Sequence, residues 1–295
     1  MTPAPAGPPP AADAPRPDDL RLAVLGWHCR VTGTDLVARS RLAELWAALR
    51  HEGEAVDPVR YVVDPDGVWV DGDPLPAGDG AAARVAAVGV DLNARALRAS
   101  SQLAVHAGVV ARAGGALAVP GASGAGKSTL VAALGRHGWD YLSDEALCLG
   151  YDDALAWPYP RPLALAPDGL AALGPPALGP PALGPPALGR PGPDGHPVTS
   201  GLFAPGELGL RVAIAPLPLR WVVLATRDLA ADPPRLVPAP AARAVPVLLE
   251  RAFNAYTRPA DALRLLGRAL AAAQVWRLSY RDAPAAAALL GNVLG

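Results

Sequence analysis

The sequence predicts an α/β fold in which strands and helices alternate around a mixed sheet. Two observations support this class. Apolar runs of strand length, such as residues 105–111 and 116–119, recur between segments with helical patterning, such as residues 127–136. These two runs are separated only by Arg-Ala-Gly-Gly at residues 112–115, a spacing that predicts a β-hairpin leading directly into a glycine-rich loop.

The sequence of the first part of the chain predicts a tail followed by a small α+β module. Residues 1–19 are rich in Pro and Ala and have too little apolar surface to become ordered, so we expect a disordered tail. Residues 20–93 contain short apolar runs, two of which flank an Asp-Pro-Asp-Gly turn at residues 64–67. We predict a helix over residues 40–51 and strands over residues 22–25, 60–63 and 67–70.

Residues 94–295 form the second predicted domain. An Ala-Leu-Gly-Pro-Pro repeat at residues 172–191 favours neither helix nor central strand, because proline lacks a backbone N–H. We interpret it as a solvated insertion over about residues 172–195, with a polyproline ligand for a partner as the alternative. We predict helices over residues 94–103, 127–136, 246–255, 260–274 and 283–294, and further strands over residues 140–143, 146–149, 221–225 and 275–280.

Charge and composition exclude several functional classes. The formal net charge is −1, which offers no basic field for a nucleic-acid backbone or an anionic membrane surface. No apolar run approaches the roughly 20 residues of a membrane-spanning helix, and the N-terminus lacks the apolar core of a signal peptide. We therefore expect a cytoplasmic protein. Cys29 and Cys148 have no metal-ligand spacing and are predicted to be buried thiols.

The segment Gly-Ala-Ser-Gly-Ala-Gly-Lys-Ser-Thr matches the P-loop pattern G-x-x-x-x-G-K-[ST]. Its lysine is the only one in the chain, against 25 arginines (26 basic residues minus one). The pattern predicts binding of a nucleoside triphosphate with Mg²⁺, in which Lys127 contacts the β and γ oxygens and Ser128 contacts the metal. The residues expected to bind the nucleotide are Gly121, Ala122, Ser123, Gly124, Ala125, Gly126, Lys127, Ser128 and Thr129.

Two further features are candidates for the chemistry. Asp144 and Glu145 follow a predicted strand after the P-loop helix, where one carboxylate could hold Mg²⁺ and the other could take a proton from an incoming hydroxyl. A solvated acidic turn is the alternative. His106 begins the strand that precedes the P-loop strand, and from the residues alone it is either a core histidine or a member of the site.

The order of these motifs resembles the catalytic core of the HPr kinase/phosphorylase family, which shares a fold with phosphoenolpyruvate carboxykinase. The resemblance rests on Val-His-Ala-Gly-Val at residues 105–109, the P-loop, and Gly-Trp-Asp-Tyr-Leu-Ser-Asp-Glu at residues 138–145. It is strongest to the HPr-kinase-like serine kinases of bacterial peptide natural-product (lasso-type) gene clusters. The resemblance implies a P-loop core of this type, with a mixed sheet and a hairpin entering the loop.

Roles for site residues also follow from the resemblance. It implies that Lys127 binds phosphate, that Ser128 and Glu145 lie near the metal, that Asp144 is the general base and that His106 lies beside the γ-phosphate.

An arginine that neutralises transition-state charge is also expected, for which Arg161 is our choice, with a structural loop residue as the alternative. Residues 206–211 only loosely match the downstream arginine-glycine segment of HPr kinases. HPr as the substrate and the reverse phosphorylase activity are therefore not implied.

The expected function is ATP- and Mg²⁺-dependent phosphoryl transfer to a serine or threonine hydroxyl of a peptide or small protein. The resemblance also implies a homo-oligomer. A small-molecule kinase and a nucleotide-binding regulatory or assembly module without phosphotransfer are the alternatives. We expect acceptor specificity to lie in the N-terminal module and in about residues 166–208.

Overall fold

The computed structural model describes residues 19–53, 57–122, 124–174, 187–191 and 197–295, with only the backbone described at 187–191 and 197–199. Over these ranges the chain is mixed α/β, as the sequence predicts. The predicted tail up to residue 18, Ser123 and most of the proline-rich repeat lie outside the described residues.

A five-stranded sheet forms the first part of the described chain. Its strands follow chain order: β1 (Leu20–Val24), β2 (Trp27–Thr32), β3 (Val59–Asp64), β4 (Gly67–Val70) and β5 (Asp73–Leu75). The predicted turn joins β3 to β4, whereas β2 and β5 were not predicted. Helix α1 (Leu36–Leu45) begins earlier than the prediction, because the carboxylate of Asp35 caps it by accepting from the N–H of Ala38 at 3.0 Å. It also ends earlier, at Leu45.

The long helix α2 (Ala81–Ala99) joins the two predicted domains. It begins well before the helix predicted from residue 94 and runs through residue 93, at which the sequence analysis divides the chain. The core that α2 covers includes Ala104, Cys148 and Tyr159 from the later part of the chain. Both cysteines are buried, and burial raises the pKa of each thiol to about 12.

The second sheet leads the chain into the glycine-rich loop. β6 (Leu103–Arg112) and β7 (Gly115–Pro120) are antiparallel, and the two residues between them, Ala113 and Gly114, both have positive φ, as in a type I′ turn. β7 is parallel to β14 (Leu217–Arg227), β14 is parallel to β16 (Gln274–Tyr280), and β15 (Arg235–Ala239) is antiparallel to β16. The other edge of β6 pairs with β8 (Asp140–Ser143) and β9 (Ala146–Leu149), and β10 (Leu155–Trp157) pairs with β9.

Helices cover both faces of this sheet. α3 (Lys127–Arg136) and α7 (Ala283–Leu294) share a core with one face, and α5 (Ala244–Glu250) and α6 (Pro259–Ala271) share a core with the other. Leu117 of β7 belongs to the first core and Ala118 to the second, which explains why this strand is apolar throughout. Among the described residues, no helix is both long and apolar enough to span a bilayer.

Three short strands and several single turns complete the described elements. Part of the repeat, predicted as a solvated insertion, forms an edge strand, a position in which proline is tolerated. This sheet has the order β11 (Leu163–Leu165), β13 (Pro197–Phe203) and β12 (Ala187–Pro191), and α4 (Pro167–Leu173) follows β11. The 3-10 turns are Ala47–Leu49, Pro205–Leu208, Ala241–Arg243 and Ala255–Thr257.

The close approach of α3 to β6 requires glycine at position 108. A Cβ atom on Gly108 would lie 2.4 Å from Cγ2 of Val131, a β-branched side chain with little rotamer freedom. We expect Gly108→Ala to lower the free energy of unfolding by about 1–3 kcal/mol through overpacking. Urea unfolding of the purified protein measures this change.

Gly267→Ala is the matched control for that substitution. Gly267 is exposed within α6, and its added Cβ would meet nothing within 4 Å. We expect this variant to be stabilised by about 0.5–1 kcal/mol, because alanine loses less backbone entropy in a helix. Equal effects of the two substitutions would contradict the steric explanation.

Candidate active site

The glycine-rich loop, residues 121–126, connects the end of β7 to the start of α3. Gly124 and Gly126 both have a φ of 82°, a conformation that costs other residues free energy. Gly126 is the N-cap of α3 and provides no side-chain acceptor, so the first N–H groups of the helix are not capped by its own N-cap residue. These donors and the helix dipole make the loop suited to an anion.

Lys127 extends back over the glycine-rich loop from the first position of α3. Its Nζ donates to the carbonyl of Ala122 at 2.7 Å and lies 3.0 Å from Nε2 of His106. Both partners are neutral acceptors. The ammonium group is thus held over the loop in contacts that a phosphate oxygen can replace with a stronger, charge-assisted hydrogen bond.

His106 joins the lysine to the acidic pair. Its Nδ1 lies 2.9 Å from the carbonyl oxygen of Glu145. A carbonyl can only accept and an ammonium can only donate, so Nδ1 carries the proton and Nε2 presents its lone pair to Lys127. Burial lowers the pKa of His106; the charge of Glu145 opposes this shift and that of Lys127 adds to it, which agrees with the neutral form.

Asp144 is the residue in contact with the start of α3. Its Oδ2 accepts a hydrogen bond from Oγ of Ser128 at 2.9 Å and another from the N–H of Ala164 at 3.2 Å. Its own N–H donates to the hydroxyl of Tyr141 at 3.0 Å. The carboxylate is therefore fixed between the first turn of α3 and β11 (Leu163–Leu165).

Arg161 neutralises the acidic pair inside the protein. Its Nη1 lies 2.5 Å from Oε2 of Glu145 and 3.8 Å from Oδ1 of Asp144, and its side chain is only 5% exposed. Burial would lower the pKa of Arg161, but the two carboxylates outweigh it and raise the pKa above its ordinary value. With Lys127 protonated, the two cations balance the two carboxylates.

Six of the residues predicted for catalysis or metal binding meet in one connected group, which we call the reaction cluster. It consists of His106, Lys127, Ser128, Asp144, Glu145 and Arg161. Thr129 lies elsewhere, because its hydroxyl packs against Gly169 of α4. Ser123 lies outside the described residues.

Within the reaction cluster, the pairing of carboxylates differs from the expected one. The resemblance implies that Ser128 and Glu145 lie near a metal, whereas the hydroxyl of Ser128 donates to Asp144. Glu145 instead contacts Arg161. The distance between Oε1 of Glu145 and Nδ1 of His106 is 3.4 Å. Within the described ranges, no group of three or more His, Cys, Asp and Glu side chains could hold a metal ion by itself.

Sequence reasoning missed two residues that position the acidic pair. The hydroxyl of Tyr141 accepts from the N–H of Asp144 and donates to the carbonyl of Arg161 at 2.9 Å. The hydroxyl of Ser143 accepts from the N–H groups of Glu145 and Ala146, each at 3.1 Å. Both residues sit in a short strand and its turn, where their sequence pattern matches that of ordinary core residues.

A scan against protein-family models finds no match, and a search of curated proteins finds none either.

Replacing Tyr141 with Phe tests whether its hydroxyl holds the acidic pair in position. The variant leaves the buried N–H of Asp144 without its acceptor, so we expect the free energy of unfolding to fall by about 1–3 kcal/mol. Urea unfolding measures the loss. Tyr256→Phe, at a residue 76% exposed, is the control and should stay within about 0.5 kcal/mol of the parent protein. An equal effect of the two variants would contradict this role of Tyr141.

Proposed function

We propose that this protein is an ATP- and Mg²⁺-dependent kinase that transfers the γ-phosphoryl group to a hydroxyl group. The observation that carries the proposal is the hydrogen bond from Ser128 in the P-loop pattern to the buried Asp144, 16 residues later. This contact joins a phosphate-binding loop to an acidic residue, as phosphoryl transfer requires. We propose a serine or threonine of a peptide or small protein as acceptor, in keeping with the resemblance to HPr-kinase-like enzymes.

The glycine-rich loop supplies the phosphate site in this proposal. Backbone N–H groups at the start of α3 would bind the phosphate chain, and Lys127 would leave the carbonyl of Ala122 for a β or γ oxygen. His106 guides that movement, since its neutral Nε2 holds the ammonium group beside the loop without forming an ion pair with it.

The oxygens of Ser128 and Asp144 fit a magnesium ion. A hydroxyl and a carboxylate oxygen 2.9 Å apart at the start of α3 are ligands of the type that Mg²⁺ takes alongside phosphate oxygens and water. The ion, when bound, would neutralise charge on the transferred group. This geometry supports Asp144, rather than Glu145, as the partner of Ser128 at the metal.

Glu145 is then the carboxylate that remains for the acceptor hydroxyl. Its side chain is 12% exposed, whereas that of Asp144 is 2% exposed, so an incoming hydroxyl reaches Glu145 more readily. Arg161 holds Glu145 in place and would stabilise charge on the transferred group. The assignment from the resemblance, with Asp144 as base and Glu145 near the metal, is the alternative to this exchange of roles.

Two variants separate the roles of the carboxylates. We expect Asp144→Asn to raise the Mg²⁺ concentration for half-maximal ATP turnover by about tenfold or more, because it removes a charged ligand. Glu145→Gln should lower turnover by about 10²–10⁴-fold at an unchanged Mg²⁺ requirement and remove the acidic limb of the pH profile. Steady-state turnover of ATP with a range of hydroxyl acceptors measures both. The opposite pattern would restore the assignment from the resemblance.

Replacing Lys127 with arginine tests whether the site needs a compact ammonium ion. We expect Lys127→Arg to lower ATP turnover by about 10²-fold or more, because a planar guanidinium does not replace a compact ammonium ion at this position. Turnover close to that of the parent protein would refute the site.

Chemical labelling provides an independent readout of the same site. An amine reagent can modify only one side chain in this protein, and peptide mapping identifies it as Lys127. Bound ATP should protect this lysine. Labelling that ATP does not slow would contradict phosphate binding at the loop.

The acceptor class is tested with labelled ATP. The proposal expects label from the γ-phosphoryl group to appear on a serine or threonine of peptides. Label on small hydroxy compounds alone would favour a small-molecule kinase. ATP binding without transfer to any acceptor or to water would favour the nucleotide-binding regulatory module.

A further inference from the structure

An arginine-lined cavity lies beside the glycine-rich loop. Its volume is about 500 Å³, and it opens between α5 and the strands β14, β16 and β15. We call it the arginine cavity after Arg235, Arg251 and Arg277, which line it. The function proposed above assigns no role to these three residues.

Strand register brings two of the arginines together. Arg277 of β16 lies opposite Val237 of β15, and Arg235 lies opposite Ser279, so both arginines belong to the same face of the sheet and are diagonal neighbours. Neither arginine side chain has an ion pair or a hydrogen bond to any residue that the structure describes. Like charges in this arrangement repel each other unless an anion lies between them.

The third arginine approaches from helix α5. Arg251 directly follows α5, and its Nε is buried without a hydrogen-bond partner among the described residues. Its Nη2 contacts the exposed Glu250 at 3.2 Å, so Nε is the unsatisfied donor of this guanidinium group. An unsatisfied buried donor is costly, and a hydrogen-bond acceptor beside Nε would remove that cost.

The arginine cavity adjoins the reaction cluster. Pro120 and Gly121, at the end of β7 and the start of the glycine-rich loop, form part of its wall. The carbonyl of Arg251 accepts a hydrogen bond from the N–H of His106 at 2.8 Å, and His106 contacts Lys127. A group in the cavity is thus next to Gly121, the first residue of the glycine-rich loop.

We propose that the arginine cavity binds an anionic group, a carboxylate or a phosphate, carried by the molecule that accepts the phosphoryl group. This inference rests on the kinase function proposed above. Guanidinium groups pair with both anions through parallel hydrogen bonds, and the volume is in the range of small-ligand sites. The nucleotide does not need this cavity for its phosphates, because the loop, α3 and Lys127 already provide donors for them.

Binding of small anions to the nucleotide-loaded protein tests the cavity. The protein is saturated with Mg²⁺ and β,γ-imido-ATP, so that the phosphate sites of the loop are filled. Inorganic phosphate, N-acetyl-L-serine and N-acetyl-L-serinamide are then titrated by calorimetry. We expect either phosphate or N-acetyl-L-serine to bind and the uncharged serinamide not to bind. Tighter binding of phosphate would indicate an acceptor that carries a phosphate, and tighter binding of N-acetyl-L-serine would indicate one that carries a carboxylate.

Arginine variants assign that binding to the cavity. Arg277→Gln and Arg235→Gln should each lower the affinity for the anion by about tenfold or more. The affinity for β,γ-imido-ATP should stay within about twofold of that of the parent protein. Arg60→Gln, at an exposed arginine of β3 in the other sheet, is the control and should change neither affinity. Anion binding that survives both substitutions, or an equal loss of nucleotide affinity, would overturn the proposal.

Failure of the cavity and failure of the kinase function give different results. A parent protein that turns over ATP but binds neither anion refutes only the arginine cavity. A parent protein that binds no ATP refutes the kinase function, whatever the anions do.

Discussion

Burial of two adjacent carboxylates is the constraint on which the site depends. Asp144 and Glu145 follow each other in the chain and both lie inside the protein. A buried charge without a partner costs several kcal/mol, roughly, so the pair requires a cation in the interior. Arg161 meets this requirement. Its position fixes the course of the chain before β11, which in turn lets the N–H of Ala164 reach Asp144.

Strand β6 connects this charged group to the glycine-rich loop. One part of the strand carries His106, which faces Lys127 and Glu145, and two residues later Gly108 lets α3 approach closely. A register shift of one residue would turn His106 to the other face and put a side chain beneath the helix. The hairpin to β7 therefore sets both the position of the loop and its electrostatic surroundings.

The sequence predicts the parts of the site that are local and misses those that depend on register. The loop and the start of α3 follow from glycine and lysine spacing, and the acidic pair follows from its place after a strand. The arginine cavity could not be predicted, because Arg235 and Arg277 are far apart in the chain and become neighbours only through the pairing of β15 with β16. The exchange of partners between Asp144 and Glu145 depends on side-chain direction in a tight turn, which spacing does not determine.

The fold predictions follow the same division. β7, which leads into the glycine-rich loop, is apolar throughout and is predicted from that pattern. β2 was missed because His28 and Arg30 interrupt its apolar residues, although both Cys29 and Val31 are buried. The start of α2 was missed because its first residues are mostly alanines, which give little amphipathic contrast with the segment before them.

The contact between α2 and the segment that carries Arg161 gives the N-terminal module a mechanical role. Asn93 of α2 accepts a hydrogen bond from the hydroxyl of Tyr159 at 2.8 Å, and the carbonyl of Tyr159 accepts from the N–H of Arg161 at 2.8 Å. Since Tyr159 also lies in the core shared with the first sheet, the module supports the arginine from behind. Substitutions in this module would therefore change the position of Arg161, and through it that of the acidic pair, from a distance.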